Sequence, residues 1–174
     1  CISSAASDVY KRQADRADRL GAHTLMLNVM QEGTTTRDSK ALAEAQERLG
    51  ASVSVGSSMD RTVANLSAVT TNLQPSLTLL SDVVRNPAFA PAEIERLRAT
   101  RLAALANEKT QPASIAGRAL PPLIYGASHP YGRSFGGTGD EAVIRGLTRD
   151  DLAAEHARCC LLYTSPSPRD LSTS

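Results

Sequence analysis

ALAEAQERLGASVSVGSSMDRTVANLSAVTTNL, residues 41–73, decides the fold, because its hydrophobic period changes twice along its length. The first part completes an amphipathic helix over 39–49, with Leu42, Ala45 and Leu49 on one stripe. Asp38 is placed to cap its start and Gly50 to end it. From 51 to 58 the period falls to two, through Val53 and Val55. The same alternation returns over 62–70 through Ala64, Leu66 and Ala68. Met59, Asp60 and Arg61 lie between the two runs, which is the pattern of a β-hairpin. At Asn72 a helical period resumes.

Working outward, residues 16–32 carry Leu20, Leu25, Met26, Leu27, Val29 and Met30, a broad apolar face that Gly33 is placed to stop. A helix capped by Asn72 runs to about Arg85, with Leu73, Leu77, Leu80 and Val84 on one face, and Asn86-Pro87 ends it. Pro91 opens a longer helix through Ile94, Leu97, Leu102 and Leu105. Pro112 interrupts it, and 114–123 continues beyond. The glycine-rich 126–146 reads as a loop. Thr148 with Asp151 three residues on is a capping-box start for a last helix over 149–156. The order is α+β, an antiparallel sheet faced by helices. A lone hairpin is a marginal sheet, so the fold is expected to be truncated at both ends, with unpaired edges that favour aggregation.

The 174 residues are 41% hydrophobic, 21% charged and only 3% aromatic, without tryptophan. The formal charge of +1 gives no electrostatic reason to expect nucleic acid as a partner. No apolar run approaches the roughly 20 residues of a membrane-spanning helix, so no membrane insertion is expected.

The two ends read differently from the middle. Residues 1–13, CISSAASDVYKRQ, and 160–174, CLLYTSPSPRDLSTS, show neither helical nor strand periodicity and look like translated sequencing adapter. Natural disordered tails are the other reading, which Ser165 to Pro168 would fit. Setting the ends aside leaves 14–159 as one partial α/β repeat with 16 basic and 16 acidic residues. Cys1 and Cys160 go with the ends and Cys159 sits at the junction, so the interior offers no disulfide framework or cysteine metal site. That fits a cytoplasmic or a periplasmic compartment equally.

Five stretches in order, EGTTTR (32–37), residues 41–73, LLSDVVRNPAF (79–89), EIERLR (93–98) and LIYGASHPYGRSFGGTG (123–139), resemble the pitrilysin/insulinase family of zinc peptidases, which includes the mitochondrial processing peptidases. The resemblance implies repeated α/β units, with zinc in an amino-terminal half and a related carboxy-terminal half that lacks it and closes over substrate. It also implies an inverted His-x-x-Glu-His motif shortly before a Gly-Thr pair, and a distal glutamate in a later helix. Two histidines one turn apart present imidazoles to one metal, and the glutamate between them serves the zinc-bound water as general base.

Counting back from Gly33-Thr34, the three motif positions fall on Thr24, Leu27 and Asn28. Shifting by one places His23 first, but Met26 and Leu27 then fill the other two. Aligned through Thr110-Gln111-Pro112, the distal position falls on Ala104, with Glu108 the nearest carboxylate one turn away. A catalytic zinc needs three protein ligands and an open position. This chain is therefore expected to hold no catalytic residues, no metal and no cofactor, with zinc carried by a partner half.

Other residues read as structural. His23 is a packed or surface helix residue and His156 a helix-surface one. His129, Pro130, Tyr131 and Gly132 form a turn, with Tyr131 as anchor. Phe135-Gly136-Gly137-Thr138-Gly139 lacks the strand and lysine of a phosphate-binding loop, and Ser128 and Ser134 lack the spaced partners of a triad. Arg96, Arg98 and Arg101 alternate with Glu93 and Glu95 as a solvated helix face. The reading that results is a non-catalytic repeat of a zinc metallopeptidase, lining a chamber around an unfolded peptide substrate and packing against the zinc-bearing half. Two alternatives stand beside it: a structural core-subunit homologue without proteolytic role, and an active metallopeptidase with unconventional ligands.

Overall fold

The computed structural model describes residues 2–10, 19–58, 61–127, 129–132 and 139–159. The elements in chain order are β1 (Ile2–Tyr10), α1 (Ala22–Met30), α2 (Ser39–Leu49), β2 (Ala51–Ser57), β3 (Arg61–Val69), α3 (Leu73–Arg85), α4 (Pro91–Glu108), α5 (Pro112–Tyr125), α6 (Glu141–Gly146) and α7 (Arg149–Cys159). This is the expected α+β arrangement, an antiparallel sheet with helices on one face.

The hairpin lies where its period placed it. β2 and β3 pair antiparallel from Ala51↔Ala68 to Ser57↔Thr62. Val55, Leu66 and Ala68 are buried, while Ser52, Ser54, Asn65 and Ser67 between them are exposed. One face of the hairpin therefore packs and the other is open.

β1 pairs antiparallel with the other edge of β3, from Ile2↔Val69 to Tyr10↔Arg61, giving the strand order β1-β3-β2. The sequence reading placed no element over 1–13, so this strand is a correction. Antiparallel pairing is made by main-chain groups, and an edge position asks for little side-chain periodicity.

α1 is the centre of the fold. Seven of its nine residues are buried, from Ala22 to Met30, with only Thr24 and Asn28 partly open. A helix apolar almost all round belongs inside a core, and α1 packs against α4, α6, α7 and β2. It starts at Ala22 rather than at 16, since Gly21 before it takes φ 94°. A side chain at Gly21 would also meet Gly139 Cα at 2.8 Å. Residues 16–18 of the expected helix lie outside the described residues.

The local signals of the other helices mostly hold. Asp38 accepts from the Ala41 N–H at 2.8 Å, and Gly50 closes α2 at φ 58°. Thr148 and Asp151 form a reciprocal box: the Thr148 N–H and hydroxyl donate to Asp151 Oδ2 at 2.9 and 2.7 Å, and the Asp151 N–H returns to Thr148 Oγ1 at 3.2 Å.

Four expectations change. Asn72 caps nothing with its side chain, which instead donates to the Leu49 carbonyl at 2.9 Å and ties α3 to the end of α2. α3 buries Ser76, Leu79 and Val83 rather than the Leu73–Leu77–Val84 line, and Leu77 is exposed. Both stripes are apolar, and packing against β3 and α2 selects between them. The 126–146 loop contains α6, whose start Asp140 caps by accepting from Ala142 and Val143. The α4 arginines are not one solvated face, because Arg98 is turned inward, with its side chain 12% exposed.

Candidate functional site

The four positions at which the metal motif would fall occupy α1 and α4, which pack together. Leu27 is 1% exposed and belongs to the core with Leu25, Met26 and Met30. Thr24 is half-buried, and its Oγ1 finds no partner among the described residues. Asn28 is half-buried on the same helix. Ala104 is exposed on α4 between Ala103, also exposed, and the buried Leu105. Glu108, the carboxylate one turn on, accepts from Arg118 at 2.9 Å. The donor set at these positions is a hydroxyl, an aliphatic chain, a carboxamide and a methyl group. Such a set does not fit zinc, which takes imidazole, thiolate or carboxylate ligands. Among the described residues no three His, Cys, Asp or Glu side chains lie close enough to hold a metal ion.

The histidines are placed apart. His23 is buried in α1 with Nε2 2.8 Å from Thr62 Oγ1 of β3 and Nδ1 3.4 Å from Glu155 Oε1 of α7. Its one hydrogen bond ties α1 to β3, and Nδ1 has no hydrogen-bond partner among the described residues, in line with a packed helix residue. His156 is not on the helix surface, as expected, but 4% exposed. Its Nε2 donates to the Val84 carbonyl at 2.7 Å, and its ring meets Phe89 edge-on with centroids 5.7 Å apart. The donated bond satisfies one of the last carbonyls of α3, which no helical N–H can reach.

His129 sits in the turn after α5. Its Nδ1 accepts from the Tyr131 N–H at 3.1 Å, and its carbonyl accepts from the Gly132 N–H at 2.8 Å. The rings of Tyr125, His129 and Tyr131 lie in a cluster with every centroid pair 5.7 Å apart. A Cβ at Gly132 would fall 1.9 Å from the Gly126 carbonyl oxygen, so only glycine closes this turn. These contacts give the segment the structural role its sequence suggested. Ser128, Ser134 and the Phe135 to Thr138 stretch lie outside the described residues.

Two stretches that carried the resemblance meet in space. Thr34 bridges Pro87, the Thr35 N–H donates to the Asn86 carbonyl at 2.9 Å, and the Ala88 N–H donates to the Gly33 carbonyl at 3.1 Å. Phe89, buried at φ 47°, is the one non-glycine with positive φ among the described residues. Arg149 receives this bend by donating to the Phe89 and Ala88 carbonyls at 3.2 and 3.4 Å. Nothing in the sequence pattern announced that pairing. Gln31 and Gln46, which bond the outer edge of β2, were also not anticipated.

A zinc protease of Mycobacterium leprae is 25% identical over 138 residues, which is 79% of this chain and 30% of that protein. The peptidase M16 inactive domain from Pseudomonas fluorescens superposes with a TM-score of 0.83 at 27% identity, over 90% of this chain and 38% of that one. The periplasmic protease PqqL of Escherichia coli shares the fold, with a TM-score of 0.76 at 18% identity over 91% of this chain and 18% of its own. The chain thus spans about a third of the first two relatives. A sequence profile of the family described as Insulinase (Peptidase family M16) matches residues 13–133, and the chain belongs to that family.

Proposed function

We propose that this chain is a non-catalytic repeat of a zinc metallopeptidase, walling part of the peptide-binding chamber and packing against a zinc-bearing half. That half lies on the same polypeptide or on a partner subunit. Leu27 carries the reading. It stands where the general base would stand, and it is a core side chain 1% exposed. No change of rotamer turns that position into an acid or a ligand.

The likeness to a chain described as an inactive domain supports the same reading. The packing role draws support from α5. There Ile115, Leu120, Leu123 and Ile124 are between 50% and 80% exposed, with Tyr125 beside them. Leu120, Leu123 and Ile124, at i, i+3 and i+4, share one side of the helix, and exposed apolar residues grouped in this way mark an interaction surface. No helix among the described residues is long and apolar enough to cross a membrane. The repeat proper is taken as 14–159, with 1–13 and 160–174 as adapter-derived; sequence read across both junctions in the source gene tests that boundary.

Co-production with the zinc-bearing half tests the function. Peptide hydrolysis is expected only when both are present, and Leu123→Asp with Ile124→Asp is expected to abolish their association while leaving the helical circular dichroism unchanged. Hydrolysis by this chain alone contradicts the proposal.

A further inference from the structure

An outer strand normally offers its main-chain N–H and C=O groups at every second residue, and such an edge accepts a further strand from any source. β2 is outermost next to β3. Val53 and Val55 are two residues apart, so their main-chain groups point to the same side of the strand. Val55 is engaged through both of its groups and Val53 through its N–H. The Val55 N–H donates to Gln31 Oε1 at 3.0 Å, and the Val55 carbonyl accepts from Gln31 Nε2 at 2.9 Å. The Val53 N–H donates to Gln46 Oε1 at 2.8 Å.

The Gln31 amide thus repeats, with one side chain, the exchange of two bonds that a residue of a neighbouring antiparallel strand makes with its partner. Its position holds it there. Gln31 is the C-cap of α1, and its Nε2 also donates to the Leu27 carbonyl at 3.1 Å, one of the last acceptors of that helix. Gln46 projects from α2, and both helices pack on β2. The two amides are therefore mounted on rigid elements rather than on a loop.

We infer that Gln31 and Gln46 plug the outer edge of β2 against strand addition. While both amides are in place, this edge receives neither an extended peptide main chain nor the β2 strand of a second copy. The inference stands on these hydrogen bonds and not on the reading of the chain as a chamber wall. It changes one expectation drawn from the sequence, because the β2 edge is closed by side chains instead of left unpaired. It also directs peptide contacts in any assembled chamber away from β2.

Residue-resolved amide exchange on the 174-residue chain tests the plug. Gln31→Met keeps the length of the side chain and removes its amide; it is expected to speed exchange at Val55 roughly tenfold and leave Val53 unchanged. Gln46→Met is expected to do the reverse. The double variant is expected to self-associate with rising concentration in sedimentation velocity, while the parent chain stays monomeric. Unchanged exchange at the matching valine, equal loss at both valines in each single variant, or a double variant that remains monomeric overturns the inference. If Gln31→Met fails to fold, Gln31→Glu replaces it. That variant keeps the acceptor for the Val55 N–H and loses the donor, so it should hold the Val55 N–H protected where Gln31→Met would not. Loss of Val55 protection in it overturns the inference equally.

Discussion

Arg98 holds Leu147 from across the fold: its Nη2 donates to the Leu147 carbonyl at 2.6 Å, and its Nη1 donates to the carbonyls of Ile144 and Arg145 at 2.6 and 2.8 Å. One guanidinium of α4 thereby collects the exposed carbonyl end of α6 and the start of the link to α7. Those are acceptors that a six-residue helix leaves without N–H partners. A cation is also favoured at that end of the helix dipole. Arg98→Ala is expected to cost about 2 kcal/mol, the range for buried bonds to a charged donor. Arg98→Lys is expected to recover little, because a point charge cannot span three acceptors. Urea denaturation midpoints of the three proteins check both statements.

Leu27→Glu supplies the residue type that the family's general base would have at this position, and it is expected to break the core rather than build a site. The new carboxylate would stand at a position 1% exposed, among Leu25, Met26 and Met30. Burying an unpaired charge costs several kcal/mol, about 3 or more, which is a large part of the stability of a domain this size. Expression with a loss of the cooperative thermal transition is the expected result. The triple change Thr24→His, Leu27→Glu, Asn28→His is expected to fare no better and to gain no zinc, since Ala104 still offers no third ligand.

His156→Ala removes a buried donor from the Val84 carbonyl and the ring that meets Phe89. A cost of about 2–3 kcal/mol follows from the unsatisfied acceptor and the space left behind. His156→Gln, which can still donate, should recover part of it. Thermal unfolding of the two variants measures the difference.

Stability is expected to fall with acid through Asp151. Its carboxylate accepts the Thr148 N–H and hydroxyl and is paired with Arg19, and these partners hold its pKa down at about 2. In the unfolded chain the same group titrates near 3.9, as an ordinary aspartate. Because the folded value is the lower one, its contribution is full above about pH 4 and is lost as pH falls through about 2. Asp151→Asn should flatten that part of the profile, as measured by denaturant midpoints between pH 5 and 2.

The sequence was most legible where the signal is local. Asp38, Gly50 and the Thr148–Asp151 box each act on residues within a few positions, and each is found as read. The hairpin showed through its period because only one of its faces is packed. What is not legible depends on distant partners. Arg98 and His156 look like surface residues until acceptors 46 to 49 and 72 positions away close on them. α3 carries two apolar stripes, and nothing within its own sequence says that Leu79 and Val83 win. The cap of α6 at Asp140 follows a glycine-rich approach that reads as loop. β1 carries no side-chain period, and its pairing with β3 needs only main-chain groups. Of the positions at which the metal motif would fall, Leu27 is committed to the core.

The most direct test is the zinc content of the purified chain after exhaustive dialysis, measured by atomic absorption against protein concentration. Far less than one zinc per chain is expected, with no change on replacing His23 or His129. One tightly held zinc per chain, lost when those histidines are changed, would contradict it.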